Sequence, residues 1–421
     1  MEGGIIRLIF WISRLVIVSM NNLKNKLKYF DLYLFIPYIV LSIIGIIMVY
    51  SASSINQAYS GLKSNYYLVR QIIFLFIGLI FFFVASHMNQ RIWVRKINIA
   101  AFYVIVFLGL VVAVFFNKAI NGAKGWINLG LFSIQPAEVC KLLLAIWLAR
   151  YFAKQEQGKL RGMHYHPIKS NGWLIAGIFP LLGLILITPD LGSLVINSAI
   201  IFVIILAAND WSSSQKIMAL VGSLVLFYGI INVLRFWNPF SGSRLAYVYQ
   251  RFVAYFDPFK VATSSGKQLV NSYYALSNGG LLGRGLGNSI QKRGYLPEPY
   301  TDFILSIIAE ELGFIGVLVV LGLLLWLTLR IFLVGIRSTN TYNSLFCYGI
   351  GTFMFVETSL NVGAVCGLLP ITGVTLPFVS YGGSSMLVLS VALGMVVNIS
   401  VSQRRNMEFD PLLKPRRGKR K

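Results

Sequence analysis

Long apolar stretches separated by short polar ones set the pattern of this 421-residue chain. Ten of them run at about 32–52, 71–88, 97–116, 136–153, 171–187, 192–208, 216–236, 303–330, 344–366 and 383–401. Each is near the ~20 residues that a helix needs to cross a bilayer. The alternating ten-residue segments of a transmembrane β-barrel are not seen. The pattern predicts an all-α polytopic membrane protein with ten transmembrane helices, the fifth and sixth joined by the tight turn TPDL (188–191).

The basic residues then give this ladder a direction. Lys24, Lys26 and Lys28 precede the first span, and Arg91, Arg95 and Lys96 lie between the second and third. Arg150, Lys154, Lys159, Arg161 and Lys169 follow the fourth, Lys216 precedes the seventh, Arg330 and Arg337 follow the eighth, and the tail RRNMEFDPLLKPRRGKRK follows the tenth. With ten spans all of these groups fall on one side, which the positive-inside rule makes cytoplasmic, with both termini inside. The expected organisation is a cytoplasmic segment 1–30, a membrane domain 31–402 and a basic tail 403–421. Residues 237–301 form a long extracellular loop between helices seven and eight. Within it, SRLAYVYQRFVAYFDPF has the spacing of an interfacial helix, with Arg244 and Arg251 between its apolar residues. Residues 1–19 are interrupted by Arg7 and Arg14 and make a poor signal peptide. They read either as an interfacial helix or as an upstream start where the protein begins at Met20.

Composition narrows the function classes. With 57% hydrophobic and 12% charged residues, a soluble chain could not bury its apolar surface. The net charge of +23 fits cytoplasmic loops and anionic lipids at the basic tail rather than nucleic acid. Cys140, Cys347 and Cys366 lie in or at the ends of apolar runs and read as packing residues. His164 and His166 lack a partner Cys or His, so no metal site is expected.

Only 14 acidic residues are present, so candidate acid–base groups can be enumerated. Toward the outer face are Glu138, Asp190, Asp257, Glu298 and Asp302; Glu310, Glu311 and Glu357 lie deeper. The outer loops hold no histidine, which excludes a histidine-based mechanism there. Asp302, where the long loop meets the eighth span, reads either as a partly desolvated general base or as the helix N-cap. On a straight helix Glu310 is about 12 Å deeper and Glu311 points nearly opposite to Asp302. Both are therefore expected to be structural, paired with cations or helix ends. Glu138 suits the positive end of the fourth helix, and Asp190 suits a cap at the PDLG turn. Lys141, one turn below Glu138, is either a functional intramembrane cation or one neutralised by that acid. The glycine-rich SNGGLLGRGLGNSIQKRGYLPEPY carries Arg284, Lys292 and Arg293 and reads as a diphosphate cradle or a flexible loop. Ser380, Gly382 and Gly383 of SYGGSSM read as headgroup contacts or as close-packing residues.

Four of these stretches resemble the SEDS family of cell-division, elongation and sporulation proteins. They are NGAKGWINLGLFSIQPAEVCKL, PDLG, NSYYALSNGGLLGRGLGNSIQKRGYLPEPYTDFILSIIAEELGFIG and GLLPITGVTLPFVSYGGSS. The resemblance implies a peptidoglycan glycosyltransferase that polymerises lipid II at the outer face of the cytoplasmic membrane, with undecaprenyl diphosphate as leaving group. The implied partners are a class B penicillin-binding protein and other divisome membrane proteins. No cofactor is implied beyond a divalent cation on the lipid diphosphate. The family's ExHTDFI motif maps onto Glu298 and YTDFI, making Asp302 the catalytic aspartate, with Tyr300 where the family has histidine. Further departures are Gly125, Thr188 and Glu357. Arg244, Arg251, Lys292 and Arg293 are then expected to stabilise the departing diphosphate, and Trp126 to stack on a sugar. GVTLPF and the long basic tail resemble the cell-division branch at the septum more than the elongation branch. A lipid II flippase, with Lys141, Glu310, Glu311 and Glu357 lining a path, is the rival from another class; no inverted repeat is visible for it.

Overall fold

A computed structural model describes residues 28–59, 61, 63–116, 125–128, 130, 133–160, 167–237 and 246–409. The expectations for residues 1–19, Arg244, the His164/His166 pair and the end of the basic tail lie outside the described residues. The elements are α1 Leu32–Tyr59, α2 Tyr66–His87, α3 Gln90–Val94, α4 Lys96–Phe115, β1 Ile127–Asn128, β2 Ser133–Ile134, α5 Pro136–Leu160, α6 Pro167–Ile187 and α7 Leu191–Ala208. They continue with α8 Ser213–Phe236, α9 Ala246–Phe256, α10 Lys267–Gly279, α11 Ile304–Ile336, α12 Thr341–Val365 and α13 Gly383–Phe409.

The expected spans are all helical, which follows from backbone hydrogen bonding inside hydrocarbon. Among the described residues eight helices are long and apolar enough to cross a membrane: α1, α2, α4, α7, α8, α11, α12 and α13. The remaining two of the expected ten are α5, which carries Glu138 and Lys141 in its first turns, and α6, whose apolar part is Leu174–Ile187. α13 is the centre of the bundle, with 89% of its apolar stretch buried, followed by α12 with 67%. α8 is peripheral at 6%, as its nearly uniform apolar surface requires.

Small residues bring the central helices together. Gly394 of α13 lies over the Phe82 carbonyl of α2, and Gly349 of α12 lies against Ala145 of α5. Between helices, the buried Tyr38 and Ser390 hydroxyls are 2.8 Å apart. Asn398 donates to the carbonyls of Ala85, Ser86 and Met88 at the end of α2. At the same end of the bundle Asp31 holds Arg330 at 2.7 Å and Arg404 at 2.8 Å and accepts from Ser400. The start of α1 and the ends of α2, α11 and α13 therefore share one side.

The long loop is structured. The expected interfacial helix is α9, whose Val248 and Phe252 join Ile231 of α8 in a small separate core. α10 was not foreseen. It lies against α11, with Ser272 bonded to Ser306 and to the Val365 carbonyl, and Gly279 against the Ala309 carbonyl. α11 is broken at Gly313 (φ 70°, ψ −172°), so Glu310 and Glu311 sit on a short first segment rather than on the straight helix that the sequence suggests.

The glycine-rich stretch folds onto that segment. Arg284 and Gly285 donate their backbone N–H groups to the carbonyls of Glu310 and Glu311, at 2.9 and 3.0 Å. The Glu311 carboxylate accepts from the Gly287 amide (3.0 Å), the Ser289 amide (3.4 Å) and the Ser51 hydroxyl. It is also ion-paired with Lys292 at 2.6 Å. The Glu310 carboxylate accepts from Asn278, the Ser289 hydroxyl and the Gln291 amide. The chain's own carboxylates thus occupy the nest of amides that a bound anion would need. Glu311 has the cation partner expected of it; Glu310 is held by amides and a hydroxyl instead.

Gly283 (φ +80°) faces the Glu311 carbonyl, where a methyl group would overlap backbone, whereas Gly287 (φ +85°) has nothing within 4 Å. Both alanine variants carry left-handed strain, so Gly283→Ala is expected to be less stable than Gly287→Ala by about 1–3 kcal/mol. Thermal unfolding of the two in the same detergent checks this.

Candidate active site

At the end of the bundle away from Asp31 a cavity of about 840 Å³ opens between α2, α5, α7, α9, α10 and the segments 297–302 and 372–385. Two prolines and a left-handed residue shape the approach to Asp302. Glu298 (φ 52°) turns the chain, and its carbonyl accepts from the Thr301 hydroxyl at 3.3 Å and from the amides of Thr301 and Phe303 at 3.4 Å. Asn361 of α12 then donates one bond to the Asp302 carbonyl and another to the Val374 carbonyl, both at 2.8 Å. Ser380 ties the same turn to α13 by donating to the Thr301 carbonyl at 2.6 Å.

Asp302 faces the cavity. The N-cap of α11 is Phe303, with no side-chain cap bond, so the capping alternative for Asp302 is corrected: its backbone is held by Asn361 and its carboxylate is left for other work. A methyl on Gly373 would sit 3.4 Å from both Asp302 Oδ2 and Arg251 Nη1, so carboxylate and guanidinium approach the same glycine. Arg251 Nη1 also donates to the Ile371 carbonyl at 3.2 Å. Burial pushes the Asp302 carboxyl up to about 6, against the pull of Arg251 and with smaller pushes from Glu298 and Asp190. That is a useful range for a general base at neutral pH.

The structure brings some of the sequence-derived candidates together and separates others. Glu298, Arg251, Trp126, Glu138, Asp190, Gly382 and Gly383 line the cavity with Asp302. Asp190 caps α7 through the Ser193 amide at 2.9 Å and accepts from Gln135 at 2.6 Å, so its structural role holds beside its place in the wall. Gly383 is needed for packing, because a side chain there would meet the Phe74 ring at 2.5 Å. Ser380 is buried and bonded to backbone, outside the lining.

Two cations expected at the diphosphate are elsewhere. Lys292 is 1% exposed and paired with Glu311 and Ser51. Arg293 is exposed and is not in the lining. Lys141 is fully buried, 2.6 Å from Glu138 and 3.6 Å from Glu357, over the Phe353 ring. It is therefore the neutralised cation of the two readings, and only Glu138 of this trio reaches the cavity.

Sequence reasoning missed Arg70, Lys267, Gln135 and Tyr67, all in the lining; Tyr381, part of the SYGGSSM stretch, lines it too. Arg70 could have been found as an arginine inside the apolar run YYLVRQIIFLF; the expected start of that span, one residue later, left it out. Among the described residues no group of three or more His, Cys, Asp or Glu side chains could hold a metal ion.

Helices of this length and apolarity, with an acid-lined cavity at one end of the bundle, define a polytopic membrane protein. Residues 31–405 match the cell cycle protein family of FtsW, RodA and SpoVE, and the chain belongs to that family. It is 37% identical over 403 residues to a probable peptidoglycan glycosyltransferase FtsW of Lactococcus lactis, covering 90% of this chain and 94% of the relative. It is 34% identical over 390 residues to the protein of that name in Bacillus subtilis, covering 90% and 92%. Its fold is shared with a chain of a peptidoglycan synthase complex that coordinates polymerization and crosslinking (TM-score 0.68, 24% identity, 89% and 98% covered). It is shared too with the rod shape determining protein RodA of Thermus thermophilus (TM-score 0.61, 22% identity, 88% and 96% covered).

Proposed function

We propose that this chain is a peptidoglycan glycosyltransferase of the FtsW type, which polymerises lipid II at the outer face of the cytoplasmic membrane during septal wall synthesis. The observation that carries the chemistry is the Asp302 carboxylate set against Gly373 beside Arg251 in an 840 Å³ cavity. The names of its relatives support the activity and the division role over the elongation role.

Asp302 takes the proton from the 4-hydroxyl of the acceptor sugar. That oxygen forms a bond to the anomeric carbon of the donor, with inversion. The bond from that carbon to the diphosphate breaks, and its electron pair leaves on undecaprenyl diphosphate. Arg251 stabilises the charge that develops there. The crosslinking partner is a class B penicillin-binding protein, a reading supported by the synthase complex that shares the fold. The cytoplasmic tail meets anionic lipid.

The flippase reading needs one continuous path. Lys141 and Glu357 form one buried cluster and Glu310 and Glu311 another, bound to the glycine-rich loop. The test is to purify the protein with its partner, supply lipid II in vesicles, and measure both glycan chains and lipid II transbilayer movement. Glycan chains are expected; movement without chains would overturn the reading.

A further inference from the structure

The cavity holds a cation that the reaction above leaves unused. Arg70 lies one turn into α2, and among the described residues no carboxylate is ion-paired with it. Its guanidinium carbon is 4.4 Å from the Tyr66 ring centroid, and its charge opposes the upward push of burial on the Tyr381 hydroxyl. The Tyr381 ring meets Tyr67 edge-on at 4.7 Å, and Tyr67 stacks on Tyr300 at 4.4 Å with their hydroxyls 3.1 Å apart. The Tyr381 amide donates to the Tyr300 carbonyl at 2.9 Å, which fixes this wall to the turn carrying Asp302.

An arginine near hydrocarbon without an acid partner marks a functional site. Its planar fork suits a phosphate bidentately, and tyrosines offer ring faces and hydroxyls to a sugar. Glycosyl transfer between two lipid-linked sugars brings two diphosphates into one cavity. The donor's diphosphate is attached to the carbon under attack, so it belongs at Arg251 beside Asp302. The acceptor's diphosphate is a disaccharide away from the hydroxyl that reacts, so it needs a second cation on another wall.

We propose that Arg70, framed by Tyr67, Tyr300 and Tyr381, is the acceptor subsite, binding the diphosphate of the lipid-linked acceptor while its sugars run along the tyrosines toward Asp302. The proposal rests on the polymerase reading.

The test uses the full chain with its class B partner. Initial rates are measured against lipid II, and with lipid II as donor to a soluble disaccharide acceptor that lacks the diphosphate. Arg70→Gln is expected to raise KM for lipid II roughly ten- to hundredfold, the range for a lost charged hydrogen bond. kcat should change little, and Arg70→Lys should fall between. The loss should be several-fold smaller with the soluble acceptor, which lacks the group that Arg70 would hold, and thermal unfolding in detergent shows that the variant is folded. An unchanged KM, or an equal loss with both acceptors, would overturn the subsite and leave the polymerase reading intact. Absence of glycan chains from the wild type is the separate result that removes that reading.

Discussion

Asp302→Asn is expected to lower the rate of glycan polymerisation roughly 10²–10⁴-fold, the range for loss of a general base, while the protein stays folded. The amide keeps the shape of the side chain and the Asn361 bond to its backbone carbonyl. It cannot accept the acceptor's proton. The wild-type rate should rise with pH through about 6, where the raised carboxyl ionises, and the residual rate of the variant should lack that limb. The sign on stability is opposite. The carboxyl keeps its proton to a higher pH in the folded chain than its ordinary value of 3.8, so stability is lost as pH rises from there to about 6. A neutral amide removes that loss, and the variant should unfold at the same or higher temperature at neutral pH. Initial rates between pH 5 and 8 and thermal unfolding check both; a variant that polymerises at the wild-type rate removes Asp302 as the base.

The largest effect on stability is expected at Lys292, which touches nothing in the cavity. Lys292→Met leaves Glu311 buried without its cation, and breaking one side of a buried pair costs about 3–5 kcal/mol. The loss reaches further than the pair, since the same carboxylate holds Ser51 of α1 and the amides of Gly287 and Ser289. A double variant with Glu311→Gln should recover part of the stability, because a neutral amide oxygen still accepts from those groups. Thermal unfolding of wild type, both single variants and the double variant gives the coupling. A Lys292→Met protein as stable as the wild type would overturn the structural role of this pair.

What the sequence made legible is what apolar period and helix length control. The spans follow from runs of about the bilayer's thickness, and Asp302 stood out because few acids are available at the mouth of a span. A cation was one of the two kinds of partner expected for Glu311, the other being a helix end. The choice of cation was not legible, since Lys292 and Arg293 are neighbours with the same charge and only the folded loop buries one and exposes the other. The glycine pattern left open a diphosphate cradle or a flexible loop, and the folded stretch instead gathers around the chain's own carboxylates. The pattern could not show that these are the side chains of Glu310 and Glu311, about twenty residues further along the chain. α10 and Arg70 escaped for a related reason: α10 is marked by its packing against Ala309 and Ser306 rather than by its own pattern, and Arg70 is defined by tyrosines from three separate segments.

The filled nest has a consequence for motion. A glycine-rich connection on a protein surface is normally among the first parts to open, and its amide protons exchange quickly with solvent. Here the amides of Gly287, Ser289 and Gln291 end on carboxylates that are themselves fully buried. They can exchange only when the first segment of α11 lets go of the loop. In hydrogen–deuterium exchange this stretch should behave as part of the slow core, and it should open together with the helix that begins just after Asp302.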